Sequence, residues 1–111
     1  FIILQRKLAQ TGATDKAVVI EYDEPLMNYV NQICEITKPY GPTNIQLRKE
    51  GDQMFLLEIN PRISSACSIR AFAGYNDSIK AVALYLEDKH LPSTLKKKVH
   101  AVRFVGDYFY E

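Results

Sequence analysis

Asn44-Ile45-Gln46-Leu47-Arg48-Lys49-Glu50-Gly51-Asp52-Gln53-Met54-Phe55-Leu56-Leu57-Glu58-Ile59-Asn60-Pro61-Arg62 is the stretch on which the fold of this 111-residue chain turns. Ile45 and Leu47 alternate with Asn44, Gln46 and Arg48, Glu50-Gly51-Asp52 is a turn signal, and Met54 to Ile59 is apolar and strand-like. The two runs read as an antiparallel hairpin, in which residues opposite each other share a face. A two-residue turn at Gly51-Asp52 would set Gln46 against Leu57 and mix polar with apolar on both faces. A three-residue loop, Gly51 to Gln53, sets Ile45 against Ile59 and Leu47 against Leu57, so that one face is wholly apolar. The other face then carries Gln46 opposite Glu58 and Asn44 opposite Asn60. A slip of one residue inverts a strand's faces, so the longer loop is the expected register.

The polar face of that hairpin is the candidate site. Glu58 lies in Phe55-Leu56-Leu57-Glu58-Ile59, and a buried, unpaired carboxylate there would cost several kcal/mol. It therefore requires a cation, a network of donors or open solvent. Asn60 projects from the same face two residues on, and Gln46 lies across the ladder. Three side-chain oxygens with one negative charge suit Mg²⁺ shared with a nucleotide, since that ion takes one or two carboxylates plus waters and phosphates. Arg62 follows Pro61, where its fork of donors could hold a phosphate oxygen. The plainer alternative is a half-buried hairpin with ordinary solvent-facing residues, in which Arg62 pairs with Glu58.

Outward from the hairpin, Phe1 to Leu8 and Lys16 to Tyr22 read as strands around a turn at Thr11-Gly12-Ala13-Thr14-Asp15. Asp23 can cap a helix with Pro25 in its first turn, and Leu26, Val30, Ile33 and Cys34 recur at helical spacing, with Ile36 and Thr37 continuing the face. Pro39-Tyr40-Gly41-Pro42 ends that helix. A second helix spans Asp77 to Leu86, where Ile79, Val82, Ala83 and Leu86 share a face. Leu91-Pro92-Ser93 breaks it, and a last strand begins at Val99 and continues through Val102 to Tyr110. The expected fold is α+β, a mostly antiparallel sheet covered by helices from Asp23–Lys38 and Asp77–Leu86, in a single unit covering residues 1–111. The chain opens on Phe1 in an apolar run and closes in strand-like sequence, so it reads as an excised piece of a longer protein.

Composition narrows the function classes. Apolar residues are 47% and charged residues 24%, as in a soluble globular domain. A formal net charge of +1 gives no basis for binding nucleic acid or a membrane surface. No apolar stretch approaches the roughly 20 residues of a membrane span, and no signal peptide is present. The expected compartment is cytoplasmic. Cys34 and Cys67 are the only cysteines, read as small buried or half-buried side chains rather than a disulfide. His90 reads as a loop residue, His100 as one that packs or faces solvent, and Lys96-Lys97-Lys98 as a solvated charge run.

Asn44-Ile45-Gln46, the hairpin and Leu57-Glu58-Ile59-Asn60-Pro61-Arg62 resemble the end of the ATP-grasp domain in carbamoyl phosphate synthase large-subunit-like proteins. Ser64-Ser65-Ala66, Ala73-Gly74-Tyr75-Asn76 and the helix with Ala81 and Ala83 continue the likeness, and Thr11-Gly12-Ala13-Thr14 is similar to the strand–turn–strand entry to that half of the fold. The resemblance implies the C-terminal half of an ATP-grasp fold. It implies metal ligands at Gln46, Glu58 and Asn60, a catalytic, phosphate-contacting arginine at Arg62, and a second phosphate- or substrate-facing arginine at Arg6. The implied cofactors are ATP with Mg²⁺, or Mn²⁺ in its place. The implied parent is an ATP-dependent ligase, carbamoyl phosphate synthase-like or a carboxylate-amine ligase, working through an acyl phosphate on a carboxylate-type substrate. Many relatives have glycine where this chain has Ser64 and Ser65. The family's nucleotide-gripping lysines and glycine-rich loop lie upstream of this half, so the chain alone is expected to be inactive and to need the preceding part of its protein. The alternative is a non-catalytic binding or assembly module that retains the ATP-grasp core.

Overall fold

In the computed structural model of the chain, which describes residues 1–96, 98–104 and 109–110, the turn around Gly12 joins two antiparallel strands, β1 (Leu4–Leu8) and β2 (Thr14–Val19). Then follow α1 (Glu24–Thr37), β3 (Asn44–Glu50), β4 (Gln53–Asn60), α2 (Cys67–Phe72), α3 (Asp77–Glu87) and β5 (His100–Val102). The paired strands are all antiparallel, and the architecture is α+β as the sequence indicates. They divide into two sheets: β1-β2-β5, with β2 in the middle, and the β3-β4 hairpin by itself. The last strand is shorter than the sequence suggests. Pairing with β2 ends at Val102, and of the run expected to follow, 105–108 lie outside the described residues, as does Lys97.

The helix signals act as their chemistry requires. Asp23 caps α1 by accepting a hydrogen bond from the Leu26 amide at 2.8 Å. Lys38 ends the helix in the left-handed conformation, φ 45°, and returns its amide to the Cys34 carbonyl. Asn76 caps α3 in the same way, accepting from the Ile79 amide at 3.1 Å. The sequence gives no sign of α2, whose six residues are too few for a period to register. It packs against α3.

Register in the β3-β4 hairpin departs from expectation at one end. Asn44 pairs with Asn60, Ile45 with Ile59 and Gln46 with Glu58, the expected partners. Beyond a bulge at the Gln46–Leu47 step, Leu47 pairs with Leu56, Arg48 with Phe55, Lys49 with Met54 and Glu50 with Gln53. Leu57 is the extra residue, and the loop is the two-residue Gly51-Asp52 turn rather than the three-residue one. Gly51 has φ +59°, at the first central position, where a type II′ hairpin turn needs glycine. The bulge has a clear reason. One uninterrupted register would put Leu56 and Met54 on the face of Arg48 and Glu50; absorbing Leu57 returns them to the face of Leu47.

Small side chains dominate the interior. Ala17, Val19, Ile33, Ala66, Ala73 and Ala83 are buried, and of these Ala73 is fully enclosed. The radius of gyration is 15.4 Å, against about 13 Å for a compact domain of this length. The apolar face expected to pack on α3 is largely open: Ala83 is buried, but Ile79, Val82 and Leu86 are exposed, Leu86 at 79%. Ile36 likewise lies off the buried stripe of α1. Cys34 and Cys67 are half-buried free thiols. Among the described residues no helix is long and apolar enough to cross a membrane.

Gly74 ties the segment after α3 to the loop after α2. Its φ is +93°, and a Cβ there would lie 2.2 Å from the Thr94 carbonyl oxygen, beside the hydrogen bond from the Lys96 amide to the Ala73 carbonyl. Gly12, at φ +80°, has open space around it. Gly74→Ala should therefore destabilise by about 2 kcal/mol or more, and Gly12→Ala by only about 1 kcal/mol, the conformational part alone. Paired denaturant melts check this; equal losses would contradict the close approach at Gly74.

Candidate functional site

The open end of the hairpin carries the polar face. Cross-strand pairing sets Gln46 beside Glu58 and Asn44 beside Asn60. The Gln46 amide nitrogen donates to Glu58 Oε2 at 2.8 Å and to Asn44 Oδ1 at 3.2 Å. Its oxygen accepts from Arg6 Nη2 at 2.8 Å, and Arg6 Nη1 donates to Thr14 Oγ1 at 3.3 Å. A polar chain thus runs from Thr14 on β2 through Arg6 on β1 to Gln46 on β3 and Glu58 on β4, joining the two sheets. Glu58 is exposed, so its carboxylate meets solvent. Asn60 is half-buried, and its Nδ2 is buried with no hydrogen-bond partner, a costly condition for an amide donor.

Arg62 follows at the exit of β4. Its amide bonds the Asn60 carbonyl at 2.8 Å, and its guanidinium reaches only the Ile63 carbonyl, at 3.4 Å. Among the described residues it makes no ion pair with Glu58, so the pairing considered from the sequence does not form. Arg6, Asn44, Gln46 and Arg62 line an open cleft of about 860 Å³.

Two arginines that sequence reasoning passed over hold the loop after β4. Arg70 on α2 is 7% exposed. Its Nε meets Asp77 Oδ2 at 2.7 Å, Nη1 donates to Ser64 Oγ at 2.6 Å, and Nη2 reaches the Ser64 carbonyl at 3.5 Å. Arg103, beyond β5, donates to the Ser65 carbonyl at 2.7 Å. Ser64 is thus anchored through its hydroxyl and its carbonyl, and Ser65 through its carbonyl. A sequence signal for Arg70 existed: a lone guanidinium among Ala66, Ile69, Ala71 and Ala73, which must find acceptors if that segment is buried. Tyr75 lines the same cleft, and its phenol is pushed above its ordinary value of 10.0 by burial, then by the Asp77 carboxylate and Tyr22, with Arg70 opposing.

The donor set decides which ions fit. Among the described residues no three His, Cys, Asp or Glu side chains converge on one point, so a soft or strongly charged metal centre has no ligands. One solvent-open carboxylate beside two amide side chains would fit a hard cation that completes its shell with water and phosphate once the Gln46 amide, whose nitrogen faces Glu58 here, is turned over. The unpartnered Asn60 amide accords with that fit, because either a phosphate oxygen or a rotated amide facing a cation would satisfy it.

Two measurements follow from this geometry. Arg70→Ala leaves Asp77 buried without its cation and should cost about 3 kcal/mol in a denaturant melt, whereas Arg48→Ala, which breaks the exposed pair with Glu50, should cost less than about 1 kcal/mol. Folding favours the neutral phenol of Tyr75, so its contribution is intact below about pH 10 and lost as pH rises through the raised value. Stability measured against pH should fall at the alkaline end, and Tyr75→Phe should lessen that fall; an unaltered alkaline limb would rule Tyr75 out as its source.

No curated protein and no solved structure matches the chain. A family model described as ATP-grasp in the biosynthetic pathway with Ter operon matches residues 1–105, which takes in both sheets, all three helices and the whole polar face just described. With a match over nearly its entire length, the chain belongs to the ATP-grasp family of ATP-dependent, ligase-type domains.

Proposed function

We propose that this chain supplies the metal- and phosphate-binding wall of an ATP-dependent ligase that activates a carboxylate-type substrate as an acyl phosphate. The observation that carries the reading is the polar face of the hairpin, where among the described residues Glu58 accepts only from a neutral amide and the adjacent Asn60 amide nitrogen is buried without a partner. In this reading Gln46, Glu58 and Asn60 hold Mg²⁺, or Mn²⁺ in its place. The bound ion would neutralise charge on the phosphates of ATP.

The chain's own residues then have distinct tasks. Glu58 provides the single negative charge, and the two amides orient without adding charge that would repel the nucleotide. Arg62, exposed and committed to no carboxylate among the described residues, offers its fork to the transferred phosphoryl group. Arg6 offers a second guanidinium at the floor of the cleft. The Arg70–Ser64 and Arg103–Ser65 bonds fix the loop that carries Arg62. A nucleophile would finally displace phosphate from the acyl carbon.

The five glycines of the chain are isolated, so no glycine-rich loop cradles the phosphates here. That wall of the nucleotide site belongs to a preceding part of the same cytoplasmic protein in this proposal. The acceptor and product follow from residues outside this chain, and a carbamoyl phosphate synthase-like reaction is one member of the class.

Turnover of ATP by the full-length protein tests the assignment. Glu58→Gln, nearly isosteric but uncharged, should lower it by about 100-fold or more, with Arg62→Ala producing a loss of similar size. Near-normal turnover in Glu58→Gln would instead favour the other reading, a binding or assembly module that keeps the ATP-grasp core without its chemistry.

A further inference from the structure

The amide of Gln46 has one oxygen, and that oxygen is already in use. It accepts from Arg6 Nη2 at 2.8 Å, while the amide nitrogen faces Glu58 and Asn44. A guanidinium has only donors, so this contact fixes which end of the amide points where. Towards Glu58 the amide therefore presents its positive end. A divalent cation beside Glu58 would meet N–H groups instead of a ligand oxygen, with the guanidinium charge close behind.

We propose that Arg6 and a divalent cation compete for the Gln46 side-chain oxygen, so that loading the cation turns the amide over and releases Arg6 into the cleft as an anion-binding group. This rests on the metal-site reading given above and adds to it a coupling between cation and anion. Turning the amide points its oxygen at Glu58 and the cation, and points its N–H groups at Arg6. The Arg6–Gln46 hydrogen bond is then lost, because two donors face each other. Arg6 keeps its bond to Thr14 at 3.3 Å, which holds it at the cleft it lines. A released guanidinium fork favours a phosphate oxygen. Cation and phosphate should then strengthen each other's binding through Arg6, by the same factor in each direction.

The geometry favours competition over simple orientation. If Arg6 served to orient Gln46 as a ligand, it would have to contact the amide nitrogen's side of the group, where an acceptor is needed and Arg6 has none. The neighbouring acceptors are also engaged, since Asn44 Oδ1 and Glu58 Oε2 both take the Gln46 nitrogen. Gln46 Oε1, Asn44 Oδ1 and Glu58 Oε2 are thus each held by a protein donor in this state. Among the described residues only Asn60 has a buried side-chain polar atom without a partner, which suits a side chain whose companion arrives with the ligand.

Mn²⁺ titration of the full-length protein, followed by electron paramagnetic resonance with and without inorganic phosphate, reads the coupling without using activity. Removing the competitor with Arg6→Ala should tighten Mn²⁺ by about tenfold, the worth of one charge-assisted hydrogen bond. Phosphate should tighten Mn²⁺ in the wild-type protein and do so markedly less in Arg6→Ala. Arg6→Lys keeps the charge but loses the fork that bridges Thr14 and Gln46, and should fall between the two; it also serves if Arg6→Ala melts early. Unchanged or weaker Mn²⁺ binding in both variants would overturn the competition while leaving the metal site standing. Absence of Mn²⁺ binding in wild-type and variant proteins alike would overturn the metal-site reading itself, and this inference with it.

Discussion

Leu57, the one residue of β4 that has no partner on β3, reconciles two demands that a straight ladder could not meet together. Near the turn, Leu47, Leu56 and Met54 must share a face, and Gly51-Asp52 must close the hairpin in two residues. At the open end, Ile45 and Ile59 must lie opposite each other, so that Gln46 meets Glu58 and Asn44 meets Asn60. The two registers differ by one residue, and the bulge is that residue. It lies directly beside the Gln46–Glu58 pair, so the ladder is irregular at the place where the polar face is assembled.

From that pair the polar contacts spread in both directions across the molecule. Arg6 carries them into the three-stranded sheet, where Thr14, itself buried, completes the chain. On the other side the loop after β4 is held by Arg70 from α2 and Arg103 from beyond β5, each gripping a serine. The interior beneath is built mostly of alanine, which supplies little transfer free energy per residue. Directional bonds from the buried Arg70 and the half-buried Arg6 and Arg103 consequently fix much of how the elements meet. Their removal leaves charges or carbonyls unsatisfied, which is costlier than trimming a small apolar contact.

Much of the apolar pattern in the sequence stays exposed among the described residues. Ile79, Val82 and Leu86 repeat at helical spacing on α3, and Leu57 and its neighbours line the hairpin, yet all of these are exposed. The radius of gyration above the compact value expresses the same fact in one length. Periodicity reports that a face is apolar; it does not report what covers it.

The sequence by itself determined the elements that local chemistry dictates. Alternation marked β3 and β4, Asp23 marked the start of α1 and helical spacing that of α3, and the pairing of Gln46 with Glu58 and Asn44 with Asn60 followed from keeping one face apolar. The resemblance around Leu57 to Arg62 pointed to the family to which the chain belongs. Tertiary structure alone decided the bulge at Leu57, since it trades one unpaired residue for keeping Leu47, Leu56 and Met54 on one face while Gln46 still meets Glu58. Only the fold could bring Arg6 to Gln46, 40 positions away, or Arg103 to Ser65, 38 positions away. It also made Arg70 an anchor, because the guanidinium's worth depends on acceptors that α3 and the loop carry to it. Spacing along a chain records the period of one element, whereas contacts between elements depend on how their faces are brought together.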